Sequence, residues 1–261
     1  MAPTYRPAGP VLPPDSLPGV STPRDHALPV SALLAGWLGA CLSGGAHPEE
    51  MLDALGTDEV LHRVTGLAPD PLTLVMTVAE LRARGARWVG LALPVPGDPV
   101  GLAGPADVNA AALDAGQAVL VRTGDVAVAL VPEEAEEAVT WLARPAATPR
   151  PLDPGEAGQA LRLDLHRTTA QLVDLDVARW SPEVADALMA LRDGTALPLP
   201  PSYDARRRAA VERAVTCLAI VDLARESESA AVSAAEIERR RSALDPLERS
   251  ARHALVAACS G

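Results

Sequence analysis

Asp98 and Asp107 stand in and beside a glycine- and proline-rich turn, PVPGDPVGLAGPAD (residues 94–107). The run before it, RWVGLAL, reads as a strand, and the run after it reads as a helix from about Ala106 to Ala115. A loop at the carboxyl end of a strand is where α/β arrangements place small-ligand sites. In such a site Asp98 or Asp107 would be the acid, Gly101 and Gly104 would let the backbone approach the ligand, and Arg179 would be the anion partner. A phosphate cradle is a poorer fit. It points several free amides at the anion, and Pro94, Pro96, Pro99 and Pro105 have none to offer. The turn reads as a stiffened corner whose expected task is to hold the junction with the helical part of the chain.

Few other residues suggest chemistry. The chain has no Lys, which removes the P-loop, protein kinases, Schiff-base and pyridoxal-phosphate enzymes and the Ser-x-x-Lys acyl transferases in their usual forms. GxGxxG, HExxH, GxSxG, CxxC and EF-hand patterns are missing too, so no catalytic residue and no cofactor is expected. His47 and Glu50, with Asp53, Asp58, Glu59 and His62 nearby, could ligate a divalent ion. Pro48, Glu49 and Glu50 are equally the ordinary opening turn of a helix, and on that reading no metal is expected. Arg162, His166 and Thr169 share a helical face that reads as solvated. His253, close to Arg249 and Arg252, suits the end of the last helix, where a cation is favoured without any catalytic role. Cys41, Cys217 and Cys259 are scattered and read as buried reduced thiols.

The elements that must position these residues fall into four stretches. Residues 1–28 are a Pro-rich arm, expected to be extended or disordered. Residues 29–144 read as α+β, a small mixed sheet with covering helices. Helices are expected from Ser31, from Pro48, from Asp70-Pro71 to Gly85, after the turn at 94–107, and over residues 133–143. Strands are expected at residues 87–93, 118–122 and 126–131, the last two joined by a hairpin at Gly124. Residues 145–153 form a Pro-rich linker. Residues 154–261 read as a bundle domain of about four helices, with capped starts at Asp153, Ser181 and Ser233 and a further helix over about Asp204–Arg225, and with Asp245-Pro246 either kinking the last helix or splitting it.

The formal charge is −11 at pH 7; residues 1–150 carry 9 Arg and 17 acids, and residues 151–261 carry 14 and 17. That balance argues against a nucleic-acid partner. The triplets Arg206-Arg207-Arg208 and Arg239-Arg240-Arg241 read as solvated helix faces paired with neighbouring acids. Leu38-Gly39-Ala40-Cys41 has the form of a lipobox, but the Pro-rich segment before it carries Asp15 and Asp25 and is no short basic leader. The uncharged run around it is too short to span a bilayer. A buried amphipathic helix, no membrane partner and a cytoplasmic location are expected.

Two stretches carry a resemblance. One runs from Trp88 to Pro132, with LALPVPGDPVGLAGPADVNAAALDAGQAVLV and VALVP. The other runs from Leu172 to Ser260, with LDVARWSPEVADALMALRDG and RRRSALDPLERSARHALVAACS. Together they resemble a group of actinobacterial proteins of similar length. The resemblance implies a soluble bacterial protein and brings no activity, cofactor or site residue with it. The absence of Lys and Phe and the single Asn, all residues with AT-rich codons, agree with a GC-rich genome.

The function expected from these residues is a non-catalytic interaction or scaffold protein, meeting a protein partner through the arm or the groove between the two parts. The alternative is a small-ligand-binding protein or enzyme with its site at the 94–107 loop, facing the helical part. Nothing in the residue pattern specifies an oligomeric state.

Overall fold

The computed structural model describes residues 28–57, 60–135, 138–174, 196–226 and 234–261. Its frame is one six-stranded mixed sheet. In chain order the elements are α1 (Val30–Ser43), α2 (Pro48–Ala54), β1 (Leu61–Thr65), β2 (Leu72–Thr73), α3 (Leu74–Ala83), β3 (Ala86–Ala92), α4 (Ala106–Ala115), β4 (Ala118–Thr123), β5 (Val126–Ala135) and β6 (Ala138–Ala146). Among the described residues three helices follow: α5 (Pro154–Asp174), α6 (Ala205–Glu226) and α7 (Ala234–Cys259). The strand order is β2-β1-β6-β5-β4-β3, with β1 and β6 parallel and every other pair antiparallel. The expected α+β class, with helices covering a mixed sheet and further helices after it, is what the chain adopts. The expected helix at residues 181–194 and the cap at Ser233 lie outside the described residues.

Alternation along the strands sorts the sheet into two faces. Val89, Leu91, Val119, Val121, Leu130, Trp141 and Val64 point to one face, where α1 and α3 pack. The other face presents Ala92, Ala118, Leu120, Ala129 and Val131 to Val108 and Ala112 of α4. α1 is buried nearly all round rather than amphipathic, with Leu34, Trp37, Leu38 and Cys41 in the core, and the Trp37 indole donates to the Pro198 carbonyl at 2.7 Å. The last helix joins the same core through Leu244, Leu247, Ala251, Leu255 and Val256. Ser260 and Gly261 then bond to β3: Gly261 N donates to Val89 O at 2.9 Å, and Leu91 N donates to Ser260 Oγ at 3.1 Å.

Three expectations are corrected. Residues 133–143 are not a helix. β5 continues to Ala135, and β6 returns between β5 and β1. Glu and Ala favour a helix in isolation, but Val139 and Trp141 alternate inward, and burial in the middle of the sheet outweighs propensity. Asp70-Pro71 does not open α3. Thr73 caps it, accepting from Met76 N at 3.3 Å, and Leu72 and Thr73 pair with β1 as a short edge strand. Arg206-Arg207-Arg208 is not a wholly solvated triplet. Arg207 lies over the Tyr203 ring at 3.8 Å and donates to Ala258 O at 2.6 Å, and Arg208 donates to Pro200 O at 2.6 Å.

Pro246 sits inside α7 without ending it. It removes one helical donor and leaves the Ser242 carbonyl without its partner. Replacing Pro246 by Ala is therefore expected to stabilise the fold by about 2 kcal/mol, the interior cost of proline less the entropy it removes from the unfolded chain. A thermal melt at neutral pH reads this as a raised Tm.

His62 is buried beside Trp141, whose indole donates to its Nδ1 at 3.2 Å. Burial pushes its pKa below the ordinary histidine value of 6.5. The neutral ring is the form that folds, so its contribution is complete above that value and is lost as pH falls below it. His62→Gln keeps an acceptor for Trp141 and is expected to flatten the fall of Tm between pH 7.5 and pH 5. An unchanged slope would show that other groups set the acid limb. The three thiols are buried as expected, and burial pushes Cys41 up to about 11 and Cys259 up to about 12.

Candidate functional site

The chain leaving β3 folds back on itself. Leu93 N donates to Val100 O at 3.3 Å, and Val95 and Asp98 exchange backbone bonds of 3.0 and 2.9 Å across the turn at Pro96-Gly97. That turn points the Asp98 carboxylate, only 14% exposed, at α7. Arg252 Nη2 meets Asp98 Oδ2 at 2.9 Å, and Arg252 Nη1 donates to Leu93 O at 3.0 Å, so one guanidinium holds the loop at two points. His253 Nε2 meets Asp98 Oδ1 at 3.0 Å. The network continues along α7. Glu248 lies 3.9 Å from Arg252 Nε, which is buried without a hydrogen-bond partner, and Arg225 of α6 pairs with Glu248 at 2.6 Å and with Asp245 at 2.9 Å.

Asp98 decides the chemistry of His253. An ionised carboxylate only accepts, so the neutral imidazole must carry its proton on Nε2, and its lone pair then lies on Nδ1. His253 is 33% exposed, and Nδ1 has no hydrogen-bond partner among the described residues. The ring lines a cleft of about 360 Å³ between α5 and α7, together with Leu152, Asp153, Glu156, Arg249 and Ser250. The arrangement can accept a hydrogen bond or a proton at Nδ1 while Asp98 stabilises the imidazolium that results.

Comparison with known proteins gives the chain its relatives. The family model "Rv1486c-like protein, N-terminal domain" matches residues 31–157, and the model "Rv1486c-like protein, C-terminal domain" matches residues 155–256. The chain belongs to the Rv1486c-like family. It is 37% identical over 126 residues to the uncharacterized protein Rv1486c of Mycobacterium tuberculosis strain H37Rv, and likewise to the uncharacterized protein MT1533 of strain CDC 1551. Each match covers 40% of this chain and 43% of the relative, so the chain spans less than half the length of the curated proteins it matches. No solved structure matches. The actinobacterial resemblance carried by the two stretches is thus shown by the Rv1486c-like models and relatives.

In this Rv1486c-like chain the residues singled out around the turn do not converge. Asp98 is taken up by Arg252 and His253. Gly101 packs against β3, and Gly104 donates to Asn109 Oδ1 at 3.0 Å. Asp107 is exposed in the first turn of α4, and Arg179 lies outside the described residues. None of the four described residues lines the cleft. His47 and Glu50 form a helix opening, with His47 N donating to Glu50 Oε2 at 3.1 Å. In the sequence His253 suits a helix-end cation, and no local pattern connects it, or Arg252, with Asp98. The usable signal was the stripe Asp245, Glu248, Arg249, Arg252 and His253, at helical spacing beside the apolar stripe Leu244, Leu247, Ala251 and Leu255. None of the described helices is long and apolar enough to cross a membrane.

Proposed function

We propose that the chain binds a small ligand in the cleft between α5 and α7, with His253 Nδ1 as the group that meets it. The observation that carries this reading is the orientation of His253, fixed from behind by a largely buried carboxylate and left without a partner in front among the described residues. A purely structural clamp between loop and helix is complete with Arg252 alone. The loop expected to form the site instead supports it from behind, through Asp98. The volume stands at the lower end of the roughly 300–1,000 Å³ usual for small-molecule sites. The test is a thermal-shift screen of a metabolite library against the wild-type chain and His253→Gln. Compounds that raise Tm of the wild type and not of the variant support the reading; compounds that act equally on both overturn it.

A second reading, a protein-interaction role, is favoured by the sheet. α4 covers the β3–β5 part of its face and the Ala146 end of β6. Beyond it Leu61 is 51% exposed beside exposed Arg63 and half-exposed Thr140 and Leu142. On that reading Leu61→Arg abolishes partner capture and leaves the His253 ring signals unchanged.

A further inference from the structure

We infer that the cleft selects a small zwitterion, an amine and a carboxylate joined by a short apolar spacer; this rests on the cleft being the binding site. The two walls differ in charge. Asp153, Glu156 and Asp164 come from α5 and its cap, whereas the cation of the other wall is Arg249 of α7, one turn from the His253 ring. The charges face one another without closing. Asp153 Oδ1 accepts from Glu156 N at 2.8 Å, and Asp164 pairs with Arg167 at 3.2 Å, both within α5 and its cap. Neither Arg249 nor the Glu156 side chain has an ion-pair partner within 4.0 Å among the described residues. Leu152, Ala157, Ala160 and Pro246 complete the lining with apolar surface for a spacer.

The direction of the two helices places the ends. Thr168 Oγ1 of α5 donates to Ala243 O of α7 at 3.0 Å, while the cleft joins the first turns of α5 to the stretch of α7 up to His253. The helices therefore run antiparallel, and His253 lies at the Asp153–Glu156 end. The side chains lining that end are acceptors, the His253 Nδ1 lone pair and two carboxylates, while the Arg206 guanidinium beside Gly155 stands outside the lining. Acceptors without donors recognise an ammonium. One turn back along α7, about 6 Å by helical rise, Arg249 offers a guanidinium fork, which suits a carboxylate. A linear amino acid with a spacer of a few carbons matches both ends. The amino terminus of α5 alone would favour an anion, but Asp153 and Glu156 reverse the sign there.

The experiment is an NMR titration of the full chain with 4-aminobutyrate, butylamine and butyrate, following the His253 ring signals. The zwitterion is expected to bind at least tenfold more tightly than either singly charged analogue. Glu156→Gln is expected to weaken 4-aminobutyrate and butylamine, and Arg249→Gln to weaken 4-aminobutyrate and butyrate; both positions are exposed and their loss should leave Tm in place. Butylamine binding as tightly as 4-aminobutyrate overturns the inference. If none of the three probes moves the His253 signals while a library compound does, the zwitterion class falls and the cleft stands. If neither probes nor library move them, both fall.

Discussion

Replacing Asp98 by Ala is expected to destabilise the fold by about 3–5 kcal/mol, because it strands Arg252 as a buried cation. The Arg252 side chain is 10% exposed, and its Nη2 has Asp98 as its carboxylate. What remains is one bond to Leu93 O and a carboxylate 3.9 Å away on Glu248, already committed to Arg225. The loss of His253's partner adds less, since that ring is partly solvated. The direct check is the urea midpoint at neutral pH. A loss under about 1 kcal/mol would place the pair with ordinary surface ion pairs. The paired variant Asp98→Leu with Arg252→Met distinguishes the cause. It removes both charges and is expected to recover most of the loss, because the penalty lies in the uncompensated cation rather than in the missing attraction. Asp98→Asn separates stability from function. Its amide oxygen still accepts from Arg252, so the cost is smaller, but the amide no longer dictates which nitrogen of His253 carries the proton. Ligand binding in the cleft should then suffer more than Tm.

The same pair marks the limit of what could be read from the residues. Periodicity and caps located most elements. Pro48 and Asp153 open helices as their types predict, and Gly124 turns the β4–β5 hairpin. These signals are local, set by backbone donors within one turn. Residues 133–143 went the other way, because Glu and Ala carry a local preference while the position of β6 between β5 and β1 is decided by strands more than sixty residues apart. Asp98 and His253 are 155 residues apart, and neither has a neighbour in sequence that announces the other. Arg207 shows the converse. In sequence it is one of three fanned arginines, and only the approach of Tyr203 and Ala258 makes it a clamp. The candidate site was therefore legible only as separate pieces. The proline and glycine content of the loop predicts a stiffened corner, and Asp98 within it reaches Arg252 of α7, but nothing local marks His253 as a side chain it supports.

Gly101 and Gly104 were the two glycines a ligand was expected to need, and substituting each tests what they do. Gly101 has φ +84°, and a Cβ there would lie 2.5 Å from the Leu91 carbonyl oxygen and 2.6 Å from the Ala92 Cα. Both obstacles belong to the backbone of β3, which is pinned between β4 and the Ser260–Gly261 segment and has nowhere to move. Gly101→Ala therefore combines left-handed strain of about 1–2 kcal/mol with a clash that only displacement of the loop relieves, for an expected total above about 3 kcal/mol. Gly104 has φ +103°, yet nothing lies within 4 Å of the added carbon. Its replacement by Ala should cost strain alone, about 1–2 kcal/mol. Paired thermal melts of the two variants check the ordering. A cradle for a ligand would give the opposite pattern: both variants would hold their Tm and lose binding, since the space beside a cradle glycine is kept for the ligand rather than filled by the protein. At Gly101 that space is already occupied by β3, so the loop's contribution to any site passes through Asp98 and the helix it holds.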